Sequence, residues 1–458
     1  MNAPPVRFFV NLHPVFKRMP MRKLSLLVTV ILIVNSISAQ DTLKTYWSNQ
    51  QLKSIGLAID SVEEGFWQYF YRDGSRMMEG TFKNGQKVGK WKAWYDNGKP
   101  SQEYFADNGP FKSWYSNGNV ESEGQFENGV KSGHWKFYYQ DGKLYRDCNY
   151  LNDSMHGLVT EYFDGDQKQF EGNYEHGRLN GYAHWWQANG QLEMEGNSVD
   201  DLQEGTWKFY NHDGSLGSRG DFRNGLQNGQ WEYFFENGKI WKRGQFRNGM
   251  RTGLWTAWFE TGEKQREGSF VLNKEDGKWV QWFESGQVKD QGYFKAGQMS
   301  GLWEGFYDDG TKKYESEYAN NERNGVYKYW NPNGSKKSSG FYNKGLKHGK
   351  WTEYADNGQR LEEGKYVNGQ KNGLWAYYNE REVVIREQNF VEDVATGKFI
   401  EYYPTGKKQM EGNYQNRMKE GTWSYWDANG KLMYSVEFHQ GKKVKVYTEL
   451  AKEYAKPF

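Results

Sequence analysis

The chain has 458 residues, with 60 basic and 58 acidic side chains, eight histidines and one cysteine. A single cysteine excludes an internal disulfide framework, and the balanced charge excludes general attraction to phosphate backbones or anionic lipid. Aromatics make up 18% of residues and glycine numbers 54, a composition that favours hairpins stapled by rings over packed helices.

Met21-Arg22-Lys23 precedes an apolar run from Leu24 to Val34, and small residues then lead to Ala39. This is the layout of a secretory signal peptide with cleavage after Ala39. The run is shorter than the roughly 20 residues of a membrane span, and no cysteine follows it, so a lipoprotein anchor is not expected. The expected order is a non-native upstream extension at 1–20 and a signal peptide at 21–39. Export through the inner membrane would then place the chain in the periplasm, the outer envelope or the medium. Cleavage removes Arg7, Lys17, Arg18, Arg22 and Lys23, leaving 55 basic against 58 acidic residues.

Residues 41–64 read as a degenerate N-terminal capping copy of a repeat, with Tyr46-Trp47 and Gly56 at the repeat's offsets. The array proper spans 65–445. Its opening glycines fall at Gly65, Gly89, Gly109, Gly133 and on through Gly421, marking sixteen units spaced 24 residues apart, except for a 20-residue step from Gly89 to Gly109. Such a period is the mark of a tandem array. Counting the opening glycine as zero, position two is Trp in eleven units: Trp67, Trp91, Trp135, Trp207, Trp231, Trp255, Trp279, Trp303, Trp351, Trp375 and Trp423. Val159 and Ala183 are its non-aromatic exceptions. Position five is aromatic throughout, and position fifteen is mostly glycine, as at Gly80 and Gly244.

No helix accommodates this glycine density, at about 1 kcal/mol each. Asn-Gly between aromatic runs is a strong hairpin signal, because a type I′ turn needs positive φ at both central residues. The expectation is an all-β, elongated antiparallel meander of about sixteen 24-residue β-hairpin repeats, roughly 150 Å long at a strand spacing of about 4.8 Å. A two-residue turn at Asn237-Gly238 places Trp231 opposite Gly244. The indole is then expected to lie across that bare backbone. The fourteenth unit replaces its turn glycine in Asn379-Glu380-Arg381-Glu382 and is expected to loop out. Lys442 to Tyr447 reads as a last strand, and 446–458 as a C-terminal cap with a short helix from Thr448.

The stretch Glu79-Gly80-Thr81-Phe82-Lys83-Asn84-Gly85, with Gly89 and Trp91 beyond it, resembles the MORN repeat in its bacterial variant form, Gly-x-Trp-x-x-Tyr. The resemblance covers about 41–445. It implies a twisted rod or half-pipe of hairpins that scaffolds or binds proteins. Relatives are also described as binding phospholipid headgroups, or are labelled antitoxin-like components of toxin–antitoxin pairs.

Signals of chemistry are few. The histidines are scattered and form no His-x-x-x-His pair. No Asp-x-Asp-x-Asp-Gly calcium loop occurs, and no glycine pair sits between a strand and a helix to hold phosphate. Neither enzymatic activity nor a cofactor or metal is expected. Cys148 reads as a replaced repeat glycine. Position six, which accepts Gln187 or Asn211 as well as rings, is the candidate binding surface: Tyr71, Tyr95, Tyr115, Tyr139, Phe235, Phe259, Phe283 and Tyr307. The expected function is that of an exported, non-catalytic scaffold whose surface binds a protein partner. A glycan or cell-wall ligand stacked on exposed rings is the alternative. Phospholipid association or an antitoxin-like role comes after it, and nucleic acid is not expected.

Overall fold

Two kinds of turn, alternating along the chain, convert the 24-residue period into a sheet. The computed structural model describes residues 41–448. Among them lie 37 strands of a single sheet and no helix. The expected upstream extension and signal peptide, and the stretch from 449 to 458, lie outside the described residues. Strands pair antiparallel in chain order, from Asp41–Tyr46 on Leu52–Ile59 to Leu432–His439 on Lys442–Thr448, and the two-residue strands Ser154–Met155 and Arg178–Leu179 pair only with the strand before them. The meander and the last strand therefore stand as read from the sequence; that strand runs through Thr448, the expected start of a helix.

The unit starting at Gly229 shows how the turns work. Its strands are Leu226–Phe234, Ile240–Arg247 and Met250–Trp258. At the first turn, Gly238 N–H donates to the Phe235 carbonyl and Phe235 N–H donates to Lys239, each at 2.9 Å. Gly238 alone takes a positive φ there, of 80°, so this is a three-residue loop closed by a left-handed glycine rather than the two-residue turn expected. Trp241 enters as an extra residue between Ile240 and Lys242, and the register returns to Trp231 opposite Gly244, as expected. The type I′ turn occurs instead at the second Asn-Gly, where Asn248 and Gly249 have φ of 49° and 76°. Gly249 N–H donates to the carbonyl of Gln227 at 2.8 Å, clipping each linker turn to the one before it.

The opening glycine has its own reason. Asp221 faces Asn228 while the adjacent Gly220 faces Trp231, leaving Gly229 and Gln230 unopposed in a bulge. Gly229 sits at φ 71° in that bulge. Bulges re-aim side chains, and this one swings Trp231 back over the preceding hairpin. The position of the indole therefore differs from expectation. A Cβ built on Gly220 falls 2.3 Å from Trp231 Cδ2, whereas one on Gly244 falls 2.0 Å from Trp255 Cδ2. Trp231 lies over Gly220, and Gly244 is covered by the next unit. Where the bulge interrupts the ladder, the indole N–H takes the carbonyl, as from Trp231 to Asp221 at 3.0 Å and from Trp207 to Asn197 at 2.8 Å.

The swaps along the array follow the same contact. All eleven tryptophans at position two are buried, Trp91, Trp375 and Trp423 completely. Each stands eleven residues after a glycine, from Gly56–Trp67 to Gly412–Trp423. Where that glycine becomes Tyr104, Cys148, Ser316 or Gln388, the covering residue shrinks to Phe111, Val159, Tyr327 or Phe399. Side chains thus exchange volume across the contact, as close packing requires. Position seventeen packs edge-on against the same ring, with Phe82 and Trp91 centroids 5.0 Å apart at 86°.

The fourteenth unit does not loop out. Asn379 N–H donates to Val383 at 3.0 Å and Glu382 N–H to Asn379 at 2.9 Å. Glu382 takes the glycine's left-handed place at φ 57°. The Asn379 carboxamide oxygen holds this turn by accepting Arg381 N–H at 2.9 Å and Val383 N–H at 3.0 Å. In the short unit the linker turn is trimmed, yet Gln102–Ser113 and Tyr104–Phe111 still pair, so the sheet runs through.

Candidate functional site

The sheet is one layer, so its candidate sites are its two faces and the edge formed by the first turns. The position-six rings lie along that edge and are half-buried. The tyrosines among them are tied down. Tyr71 Oη donates to the Trp94 carbonyl at 2.7 Å, Tyr95 to Trp114 at 2.6 Å and Tyr115 to Tyr138 at 2.7 Å. Tyr139 reaches Tyr162 at 2.7 Å and Tyr307 reaches Trp330 at 2.8 Å. Each hydroxyl thus satisfies a position-five carbonyl of the following unit, and burial raises the pKa of these phenols above the ordinary value. Phe235, Phe259 and Phe283 occupy the same place without a hydroxyl. Phe235 leans towards Trp241, with centroids 6.4 Å apart. The position-six tyrosines therefore stitch successive hairpins, and the whole series is half-buried.

One face carries the position-five rings, flanked by carboxylates at position fourteen and cations at position eleven. Tyr138, Tyr210 and Tyr378 donate to Glu123, Glu195 and Glu363 at 2.6, 2.8 and 2.9 Å. Hydrogen bonds from Tyr138 and then Lys112 hold the Glu123 carboxyl below its usual range. Lys264 stands 5.5 Å from the centroid of Trp282, and Arg360 4.3 Å from that of Tyr378. These carboxylates are engaged in pairs and hydrogen bonds rather than held apart for proton transfer.

The opposite face carries the buried tryptophans, and cations cap it. Lys87, Lys347, Lys371 and Lys419 place their ammonium groups 4.3, 4.1, 3.9 and 4.0 Å from the centroids of Trp91, Trp351, Trp375 and Trp423. These distances fit cation–π attraction. Burial lowers the pKa of Lys131, which stands over Trp135 in the same way. The row was overlooked in reading the sequence, although its signal is there: a basic residue recurs two places before many opening glycines. Next to the fourteenth unit a shallow cleft of about 580 Å³ opens between Leu361, Ile385, Tyr377 and Tyr402, with Glu362 and Arg386 in its wall.

Cys148 is fully buried against Val159, and burial pushes its thiol up to about 11. Among the described residues no three His, Cys, Asp or Glu side chains are arranged to hold a metal ion. His156, just before Gly157, and His176, on the next linker turn, have ring centroids 5.8 Å apart.

Comparison with known proteins bears on the repeat. The sequence profile of the MORN repeat variant matches ten segments: 87–108, 107–128, 131–152, 227–248, 275–296, 299–320, 323–344, 347–368, 395–416 and 419–440. No curated protein matches the chain. Solved structures titled "Crystal Structure of TcdB2-TccC3-Cdc42" and "Structure of Photorhabdus luminescens Tc holotoxin pore, Mutation TccC3-D651A" align at 9% identity and a TM-score of 0.14, over 90% and 91% of this chain. The chain spans only 27% of the length of those chains. The ten profile matches fall on hairpins of the geometry described above, and the chain belongs to the MORN-repeat-variant proteins.

Proposed function

We propose that this protein is an exported, non-catalytic scaffold that binds other proteins along its sheet. The observation that supports the reading is the single layer itself: among the described residues 37 strands present a recurring pattern of rings and charges on each face. Repeat arrays of this kind offer extended surfaces suited to extended partners. The glycan alternative needs open ring faces for sugars to stack on. The eleven tryptophans at position two are closed to it by burial, and the tyrosine hydroxyls at position six are already spent on neighbouring backbone. Affinity capture with the purified mature chain from an envelope extract tests the proposal. Recovery of a partner absent from a mock capture is expected, and a blank result contradicts it. Sequencing the N-terminus of the mature protein tests export, with Gln40 expected first.

A further inference from the structure

On the tryptophan face, three cations gather with one counter-charge. Lys242, Ala257 and Arg266 occupy the same rung on three successive strands. Ala257, small where other units place a ring, leaves a dip between the two long side chains. Arg251 enters from the next row, paired with Phe246. All three cations are backed by rings: Lys242 lies 4.2 Å from the Tyr233 centroid, Arg251 4.1 Å from Phe270 and Arg266 4.1 Å from Trp279. Their only carboxylate partner among the described residues is Glu275, 3.6 Å from an Arg266 terminal nitrogen. Arg266 Nε is buried without a hydrogen-bond partner. Burial, and then the charge of Arg251, lowers the pKa of Lys242. Arg266 is lowered by burial first, with Glu275 opposing and Arg251 adding to the shift. Like charges held this way carry a standing repulsion that an anion relieves.

We propose that Lys242, Arg251 and Arg266 form a docking site for carboxylate side chains of an acidic peptide segment, with Ala257 as its floor. The inference rests on the protein-binding reading above and names the chemistry of the partner. Lys242 and Arg266 stand two strands apart, about 10 Å at the usual strand spacing. That span suits two side-chain carboxylates of an extended chain better than one small ion. Arg266 already pairs with one side-chain carboxylate, that of Glu275 at 3.6 Å, so its guanidinium stands ready for this class of partner.

The test uses the full mature chain and a fluorescent hexaglutamate peptide. Binding that weakens with added salt is expected, falling about tenfold or more in R266Q and in R251Q. K242R should retain it. R251Q relieves repulsion and leaves the Arg266–Glu275 pair in place, so its hydrogen-exchange pattern should stay intact, separating lost binding from lost fold. Equal binding by all variants overturns the proposal. So does binding to anionic phosphatidylserine vesicles, but not to the peptide, that depends on these cations. If the captured protein partner binds R251Q and R266Q undiminished, the docking site fails while the scaffold reading stands. If hexaglutamate binds at these cations but no partner is ever captured, the scaffold reading fails alone.

Discussion

Replacing Gly244 by alanine places a Cβ 2.0 Å from Trp255 Cδ2, so the indole must move by more than an ångström. If the ring stays in and the backbone gives, overpacking costs about 1–3 kcal/mol. If it is expelled, about 200 Å² of apolar surface returns to water, at ~25 cal/mol per Å² some 5 kcal/mol. The hydrogen bond from Trp255 Nε1 to the Gln245 carbonyl, 3.2 Å, goes with it, adding about 1 kcal/mol. A loss near 3 kcal/mol is therefore expected. In a Trp255→Val background the clash is gone, as it is where Cys148 meets Val159. There Gly244→Ala should cost close to nothing, or gain about 0.5 kcal/mol from reduced chain entropy. Repeat arrays need not unfold as one unit, so local hydrogen exchange over the strands around 240–258 is the suitable assay. Trp231→Val is the control, since Trp231 shares a rung with Gly244 but covers Gly220. If the cost of Gly244→Ala vanishes with Trp231→Val and persists with Trp255→Val, the packing described here is wrong.

Other outcomes follow from single contacts. Tyr115→Phe removes the hydroxyl that serves the Tyr138 carbonyl and should cost about 1 kcal/mol in exchange protection of that hairpin; an unchanged protection refutes the stitching role. Cys148, buried and with its thiol raised to about 11, should resist dithionitrobenzoate at pH 8 until denaturant is added, and prompt labelling of the folded chain contradicts the packing. The Glu123 carboxyl is held below its ordinary 4.5 by Tyr138 and Lys112. Its contribution to stability is therefore full above about pH 4.5 and lost as pH falls through the lowered folded value. Glu123→Gln should flatten the acid limb of the local stability profile between pH 5 and pH 2, and an unaltered limb counts against the pair. Glu382→Gly frees a left-handed turn residue, worth about 1 kcal/mol. It also removes the contact of Glu382 with the Arg360 backbone N–H at 3.1 Å, so a net gain of less than 1 kcal/mol is expected in local exchange.

The hairpin meander was legible because its causes are local. Asn-Gly turns, alternating rings and a fixed period each leave a mark in the chain, and the pairing of Trp231 with Gly244 followed from them. The partner of each indole was not legible from the regular units. With a period of 24, a tryptophan thirteen residues before one glycine is also eleven residues after another, so most units fit either contact. The irregular units break the tie. A contact within the hairpin sets Trp135 on Cys148 and Trp375 on Gln388, both crowded. A contact with the preceding hairpin sets Val159 on Cys148 and Phe399 on Gln388, matching size to size. The opening glycine carried the rest of the signal, since its positive φ marks the bulge that turns the ring backwards.

The position-six series was legible as half-exposed, but its bonding was not, because the acceptor is a backbone carbonyl of the next unit and leaves no trace in residue type. Glu382 escaped for a related reason. A turn held by the Asn379 side chain and by its stacked neighbours tolerates a residue that local propensity disfavours. The Lys242, Arg251 and Arg266 group needed the fold, since three cations up to 24 residues apart meet only once strand register sets them side by side.

In eleven units the position-two tryptophan closes the hairpin that precedes it, over a glycine eleven residues back. Nuclear Overhauser contacts between glycine α-protons and indole ring protons, in the mature chain labelled selectively at Gly and Trp, test it directly. Gly220 should contact Trp231 and Gly244 should contact Trp255, with the same eleven-residue offset repeated from Gly56–Trp67 to Gly412–Trp423. Contacts at an offset of thirteen within the hairpin, Gly244 with Trp231, would contradict it.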